Sequence, residues 1–351
     1  MNRGLNRFEQ ASVAVAVVIS VAAGALDLAG AANTAVFVAS GLALVALAWI
    51  VGVATEQLAE SSGPKVGGVL NATFGNAAEL IITIFAIRAG QLEVATASIT
   101  GSILGNTLLV LGASFLVGGL RNGPQTFDQR IAGMNASMLA LAVIGLGLPT
   151  AFAAARGTGP DTQTISDVTA AILLGLYLLS LVYYFRTGAG AGGGHPGVPH
   201  WTARLAMLLL LGSTAAVAVI SDVFVGTLEG VIADLGISAA FLGLVIVPIV
   251  GNIAENIVGI KIAYENKMDF SMVVSLGSSL QVALGVAPLL VFISLATPHE
   301  FDLVFPTIQV IALAAAVTIT ALIAADGESN WLEGAQLMAV YAIVATSFWY
   351  L

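Results

Sequence analysis

The chain has no cysteine, only three histidines and very little charge. Without cysteine there is no disulfide, no thiolate metal site and no cysteine nucleophile. Charged residues make up 9% of the chain, where ordinary soluble domains carry about 25%. With 58% hydrophobic residues and a mean hydropathy of +0.99, most of the chain must sit in lipid. No His-Glu-x-x-His, Gly-x-Ser-x-Gly or paired catalytic Asp motif is present, so an enzyme finds no support and no cofactor is expected. The net charge of −9 would speak against nucleic acid for a soluble protein, but in this chain the position of each charge matters more than the sum; no nucleic-acid partner is expected.

What is present is a series of long apolar stretches. A spanning helix needs about 20 apolar residues, and short polar breaks divide the chain into eleven: about 12–30, 34–58, 65–89, 92–120, 129–155, 164–186, 201–230, 237–263, 268–296, 303–325 and 331–351. This predicts an all-α membrane protein with eleven transmembrane helices. Lys and Arg collect in cytoplasmic loops. With the N-terminus inside, the cytoplasmic side holds Arg3, Arg7, Lys65, Arg121, Arg130, Arg186, Arg204, Lys261 and Lys267, and the other side only Arg88 and Arg156. The C-terminus is then outside.

The chain also repeats itself. Gly75-Asn76-Ala77-Ala78-Glu79 aligns with Gly251-Asn252-Ile253-Ala254-Glu255 at an offset of 176 residues, and the same offset lays Gly101-Ser102 on Gly277-Ser278. Continued from Gly67 to Val110 without a gap, it matches 13 of 44 positions. Apolar composition alone would not align two Asn and two Glu inside helices. Five spans in each half make the second half enter the membrane upside down, the inverted-repeat plan of secondary transporters. The organisation expected is an extra N-terminal, peripheral helix in 1–33, a first five-helix repeat in 34–186, a Gly-rich cytoplasmic linker in 187–200 and a second five-helix repeat in 201–351.

Glu79 and Glu255 lie inside apolar stretches, where a carboxylate is costly and is by default a functional candidate. Inverted repeats bring equivalent positions together. Two carboxylates facing each other in low dielectric cannot both stay ionised without a cation, because burial and mutual repulsion disfavour the second charge. An empty site then holds protons, and an entering divalent cation expels them. The surrounding groups are hard oxygen donors, which suits Ca2+. Asn76 and Asn252 precede each Glu by three residues and share its helix face; Ser102, Asn106, Ser278, Ser279 and Gln281 come from the following span of each half. Ser and Asn in membrane helices also bond neighbouring helices, so both roles are open to them. Gly75 and Gly251, with Gly67, Gly68, Gly243 and Pro248, are expected to weaken both helices just ahead of the carboxylates, exposing backbone carbonyls or allowing close packing. Glu56 and Glu60 on one side and Glu229 on the other could gather cations at the two mouths, or be ordinary interfacial charges.

At these residues the sequence resembles the cation/proton exchanger (CAX) family of the Ca2+:cation antiporter superfamily. The resemblance rests on Asn71-Ala72-Thr73-Phe74-Gly75-Asn76-Ala77-Ala78-Glu79-Leu80, on Val247-Pro248-Ile249-Val250-Gly251-Asn252-Ile253-Ala254-Glu255-Asn256, on Gly101-Ser102-Ile103-Leu104-Gly105-Asn106 and on Gly277-Ser278-Ser279-Leu280-Gln281. It implies a Ca2+/H+ antiporter of eleven helices in a prokaryotic plasma membrane, with the two Glu as cation ligands and proton acceptors. It also implies that spans two and seven slide to switch access. A Na+/Ca2+ exchanger, which would share the repeat and the carboxylate pair, is the alternative. Asn256 stands where the family often has His, and the linker is Gly-rich where many relatives carry an acidic helix.

Overall fold

A computed structural model describes residues 4–187 and 200–351. Of the Gly-rich linker expected in 187–200, residues 188–199 lie outside the described residues. In lipid every backbone polar group must be satisfied internally, so apolar runs of this length are stable as helices. The chain is built from α1 (Arg7–Leu28), α2 (Asn33–Ser62), α3 (Pro64–Phe74), α4 (Ala77–Arg88), α5 (Leu92–Leu104), α6 (Leu111–Asn122), α7 (Gln129–Arg156), α8 (Pro160–Thr187), α9 (Ala203–Gly226), α10 (Leu228–Leu235), α11 (Ala239–Phe241), α12 (Val247–Tyr264), α13 (Met268–Gln281), α14 (Ala287–Ser294), α15 (Thr307–Ile323) and α16 (Trp331–Trp349). Three wide π turns, Gly105–Val110, Leu242–Ile246 and Val282–Val286, join α5 to α6, α11 to α12 and α13 to α14 into continuous rods. Among the described residues, nine helical stretches are long and apolar enough to cross a membrane, and α15 is apolar but shorter. The protein is a multi-pass, helical membrane protein.

The capping chemistry is local and readable. Asn6 and Asn330 form capping boxes with Glu9 and Glu333 at the starts of α1 and α16, each satisfying two otherwise orphaned N–H groups. Asp128 and Thr202 cap α7 and α9. Two short strands, β1 (Gln125–Thr126) and β2 (Glu328–Ser329), pair antiparallel and tie the α6–α7 connection to the α15–α16 connection at one end of the bundle.

Three expected stretches differ in detail. The span 65–89 is two helices, parted at Gly75 and Asn76, where Asn76 leaves helical geometry at φ −104°, ψ 21°. The span 201–230 ends at Gly226, because the Thr227 amide and hydroxyl both close on the Phe224 carbonyl; Glu229 therefore sits in the separate short helix α10. The span 303–325 begins as a helix only at Thr307, since Pro306 disfavours helical geometry at Phe305. Before it, Phe301, Leu303 and Phe305 are buried in alternation. Their N–H groups are taken by the hydroxyls of Ser294, Ser166 and Thr150, which lets a non-helical segment lie buried among three helices.

The core is centred on α5, buried without a break from Val94 to Leu104, and on the α13–α14 rod, buried throughout its π turn. Close helix contact here depends on glycine. A β-carbon on Gly101 would collide with the Leu244 backbone, and one on Gly243 would stand 2.5 Å from the Val94 carbonyl oxygen. By contrast, α1 buries only Ala16 and Ala23 and is peripheral. It is nevertheless fastened: the Trp201 indole N–H donates to Glu9 at 3.0 Å, and Gln57 of α2 accepts from the His200 and Trp201 amides at 2.8 and 3.2 Å.

Candidate cation site

Glu79 stands in the first turn of α4, immediately after the break at Gly75 and Asn76, and is 0% exposed. Glu255 stands near the middle of α12 and is partly buried. The two helices meet reciprocally at the duplicated motifs. A β-carbon on Gly75 would lie 2.8 Å from Glu255 Oε1, and a β-carbon on Gly251 would lie 3.2 Å from the Glu79 Cα and Cβ. Each motif's glycine thus makes room for the other motif's glutamate, which brings both carboxylates to one crossing point.

The expected polar residues mostly gather around that crossing. Asn252 Nδ2 donates to Glu79 Oε2 at 3.1 Å and to Ser102 Oγ at 3.2 Å, which joins all three side chains. On the other side Ser278 Oγ donates to Asn76 Oδ1 at 3.3 Å, while Asn76 Nδ2 donates to Gln281 Oε1 at 2.8 Å. Asn106 is buried in the first π turn with its Nδ2 unbonded. Ser279 is different: its hydroxyl donates to the Ser275 carbonyl of its own helix. Of the glycines, Gly75 sits at a true break, but Gly251 lies inside regular helix. In the second half the irregularity is instead the π turn Leu242–Ile246, ahead of Pro248. The expectation of two helices weakened alike just before the carboxylates is corrected accordingly. A π turn accommodates the close Gly243 and Leu244 contacts with α5 without breaking the rod, whereas Gly67, the equivalent of Gly243, packs against Ala59 of α2 instead.

Glu56, Glu60 and Glu229 are not part of this cluster. Glu56 is exposed and Glu60 partly buried near the end of α2, where Gln57 donates to Glu60 at 3.2 Å. Exposed Glu229 accepts from Gln91 at 2.8 Å at the opposite end of the bundle.

The oxygens left over define the chemistry. Glu79 Oε1, Glu255 Oε2 and Asn252 Oδ1 are buried without a hydrogen-bond donor. Buried acceptors without partners are costly, and these three oxygens, two of them on carboxylates, would be satisfied by a hard cation or by protons. Sequence reasoning did not find two neighbours. Thr83 donates to the Glu79 carbonyl at 2.8 Å and lies 3.3 Å from the Ser98 hydroxyl, one helical turn along from Glu79 and Ser102. The repeat could not flag them, because the 176-residue offset puts Gly259 and Val274 in their places.

A family model described as "Sodium/calcium exchanger protein" matches residues 32–186 and 205–350. The chain belongs to that family. Within this exchanger family it falls in the cation/proton exchanger branch of the Ca2+:cation antiporter superfamily, as its relatives show. It is 42% identical over 343 residues to a Ca2+/H+ antiporter of Synechocystis sp., with 92% of each chain covered. It is 38% identical over 357 residues to the Ca2+/H+ antiporter ChaA of Bacillus subtilis, covering 99% of this chain and 100% of that one. Among solved exchanger structures, native YfkE matches with a TM-score of 0.83 at 37% identity, covering 96% of this chain and 100% of that chain. The H+/Ca2+ exchanger CAX shares the fold at a TM-score of 0.72 and 17% identity, covering 96% of this chain and 92% of that chain.

Proposed function

We propose that this chain is a secondary active antiporter that exchanges Ca2+ for H+ across a prokaryotic plasma membrane, with Glu79 and Glu255 as the residues for which cation and protons compete. The observation that carries this reading is the trio of donor-free buried oxygens, Glu79 Oε1, Glu255 Oε2 and Asn252 Oδ1. The relatives named as Ca2+/H+ antiporters support the choice of cargo and counter-ion. Ca2+ takes six to eight oxygens in tolerant geometry, and here the two carboxylates would be completed by Asn76, Asn252, Ser102, Ser278 and the Asn106 amide. Two carboxylates this close share their protons as a pair. Ca2+ entry discharges that pair's protons, and Ca2+ departure lets them return. No fuel beyond the two gradients is required.

The layout that serves this reading is α1 followed by two inverted halves of five spans. The first half is α2, the broken α3–α4, the α5–α6 rod, α7 and α8; the second is α9, the α11–α12 rod, the α13–α14 rod, α15 and α16. Lys and Arg then place the N-terminus, the β1–β2 pair and the α12–α13 turn in the cytoplasm. Packing supports alternating access. Gly101 is pressed against Leu244, while Gly277, its equivalent by the 176-residue offset, has nothing within 4 Å of its β position. One end of the pseudo-symmetric pair is closed and the other is open.

The test is Ca2+ uptake into vesicles holding the purified protein. A pH gradient without Na+ should drive it, and Glu79→Gln or Glu255→Gln should abolish it while the protein still folds. Uptake that requires Na+ would support the Na+/Ca2+ alternative, and normal uptake by either variant would remove the two carboxylates from the mechanism.

A further inference from the structure

The two halves of the site are not equivalent. The 176-residue offset lays Asn76 on Asn252, Ser102 on Ser278 and Glu79 on Glu255, yet it lays Gly105 on Gln281 and Asn106 on Val282. Gln281 therefore has no side-chain counterpart in the first half. The hydrogen bonds differ at the matching place. Asn252 donates to Glu79 and Ser102 at 3.1 and 3.2 Å. A symmetric site would have Asn76 donate to Glu255 and Ser278. Instead Asn76 Nδ2 donates to Gln281 Oε1 at 2.8 Å and its Oδ1 faces Ser278 at 3.3 Å. Gln281 Oε1 and Glu255 Oε1 lie 3.5 and 2.8 Å from the same point, the β position of Gly75. The glutamine oxygen stands beside the carboxylate whose donor it has taken.

We propose that Gln281 is a positioning residue that acts through Asn76: it holds the Asn76 amide away from Glu255, so that Glu255 keeps its oxygen free for a cation while Glu79 stays tied to Asn252. The inference rests on the reading of Glu79 and Glu255 as the cation carboxylates. An amide N–H and a cation compete for the same carboxylate lone pairs, and an N–H bonds a carboxylate about twice as strongly as a neutral oxygen. Left to choose, the Asn76 amide would turn to Glu255, and an arriving Ca2+ would have to displace it. Gln281 removes that competition in advance on one side of the site. On the other side Asn252 still holds Glu79 Oε2, so only Oε1 is free there until that amide turns. Binding is thus ordered, with Glu255 the first carboxylate to meet the cation and Glu79 the second.

The test replaces Gln281 with methionine, which keeps the volume and removes the acceptor. In vesicles carrying Gln281→Met, the apparent KM for Ca2+ should rise about tenfold, as breaking one additional hydrogen bond to a charged group requires, while kcat stays within about twofold. In the Asn76→Ala background, where no competing donor exists, adding Gln281→Met should change KM by less than about twofold. A tenfold rise in both backgrounds would make Gln281 an independent ligand and overturn the proposal, as would an unchanged KM or a fall confined to kcat. If the methionine variant does not remain monodisperse in detergent, Gln281→Ala is read against the same expectations. Glu255→Gln in the same vesicles separates the two levels. If it transports normally, the carboxylate reading itself fails; if it is dead and the Gln281 coupling is absent, only the present inference fails.

Discussion

Glu255 and Gly75 share one space: a β-carbon on Gly75 would stand 2.8 Å from the Glu255 Oε1 and 2.7 Å from the Asn71 carbonyl oxygen. The second contact is backbone and cannot swing aside. Gly75→Ala is therefore expected to displace either the helix break or the carboxylate, and to lower Ca2+ uptake by at least about tenfold, since small misplacements of binding groups cost such factors. Gly251→Ala meets Glu79 atoms at 3.2 to 3.3 Å, which need yield by only a few tenths of an ångström, so its loss should be smaller. Uptake rates of the two variants at matched protein content check the order.

The pair Gly101 and Gly277 separates packing from helix propensity. Gly101→Ala drives a methyl group into the Leu244 backbone, and overpacking of this kind costs about 1–3 kcal/mol or more. The melting temperature in detergent should fall by several degrees. Gly277→Ala meets nothing within 4 Å and gains up to ~1 kcal/mol of helix propensity, so its melting temperature should equal or exceed the parent's. If the cycle remakes at Gly277 the contact now made at Gly101, the same variant will be stable but slow in transport.

Much of this arrangement was legible in the sequence, for reasons of period and chemistry. Apolar length marks spanning helices, and the paired Gly-Asn-x-Ala-Glu motifs single out two carboxylates that the fold brings to one helix crossing. What could not be read is geometry without a local signal. The motif around Gly251 does not distinguish its regular helix from the break at Gly75, because the tertiary contacts differ: Gly243 and Leu244 are pressed against α5, while Gly67 packs against Ala59 of α2. The short helix carrying Glu229 was hidden for a similar reason, since Thr227 ends α9 through one carbonyl inside an unbroken apolar run. Thr83 and Ser98 escaped because the repeat replaces them with Gly259 and Val274.

The fastening of α1 can be measured separately from transport. Trp201 is 4% exposed and its indole N–H donates to Glu9 at 3.0 Å. Trp201→Phe keeps most of the buried ring and removes the donor. A hydrogen bond to a charged group contributes about 1.5–3 kcal/mol, and partial exposure of Glu9 lowers the expected loss to about 1 kcal/mol. Thermal unfolding should show that loss, and in the double variant Glu9→Ala should add only the cost of its capping-box bond to the Asn6 N–H, because its contact with Trp201 is already gone.

Asp302 supplies a pH-dependent contribution to stability that lies away from the cation site. It sits half-buried in the segment between α14 and α15, and burial holds its carboxyl above the ordinary aspartate range, with the Val304 N–H acting against this and the Asp167 charge adding to it. A carboxyl raised in the folded state favours the protonated form there. Its stabilising contribution is complete below the unfolded value, about 4, and is lost as pH rises through the raised folded value. Asp302→Asn removes the charge and keeps an Oδ1 for the Val304 N–H, which donates at 3.1 Å. The variant should therefore melt at the parent's temperature near pH 4 and above it at neutral pH, with the two curves parting as pH rises. A constant offset at every pH would assign the difference to packing, and a lower melting temperature at neutral pH would show that the ionised carboxylate is the form the fold requires.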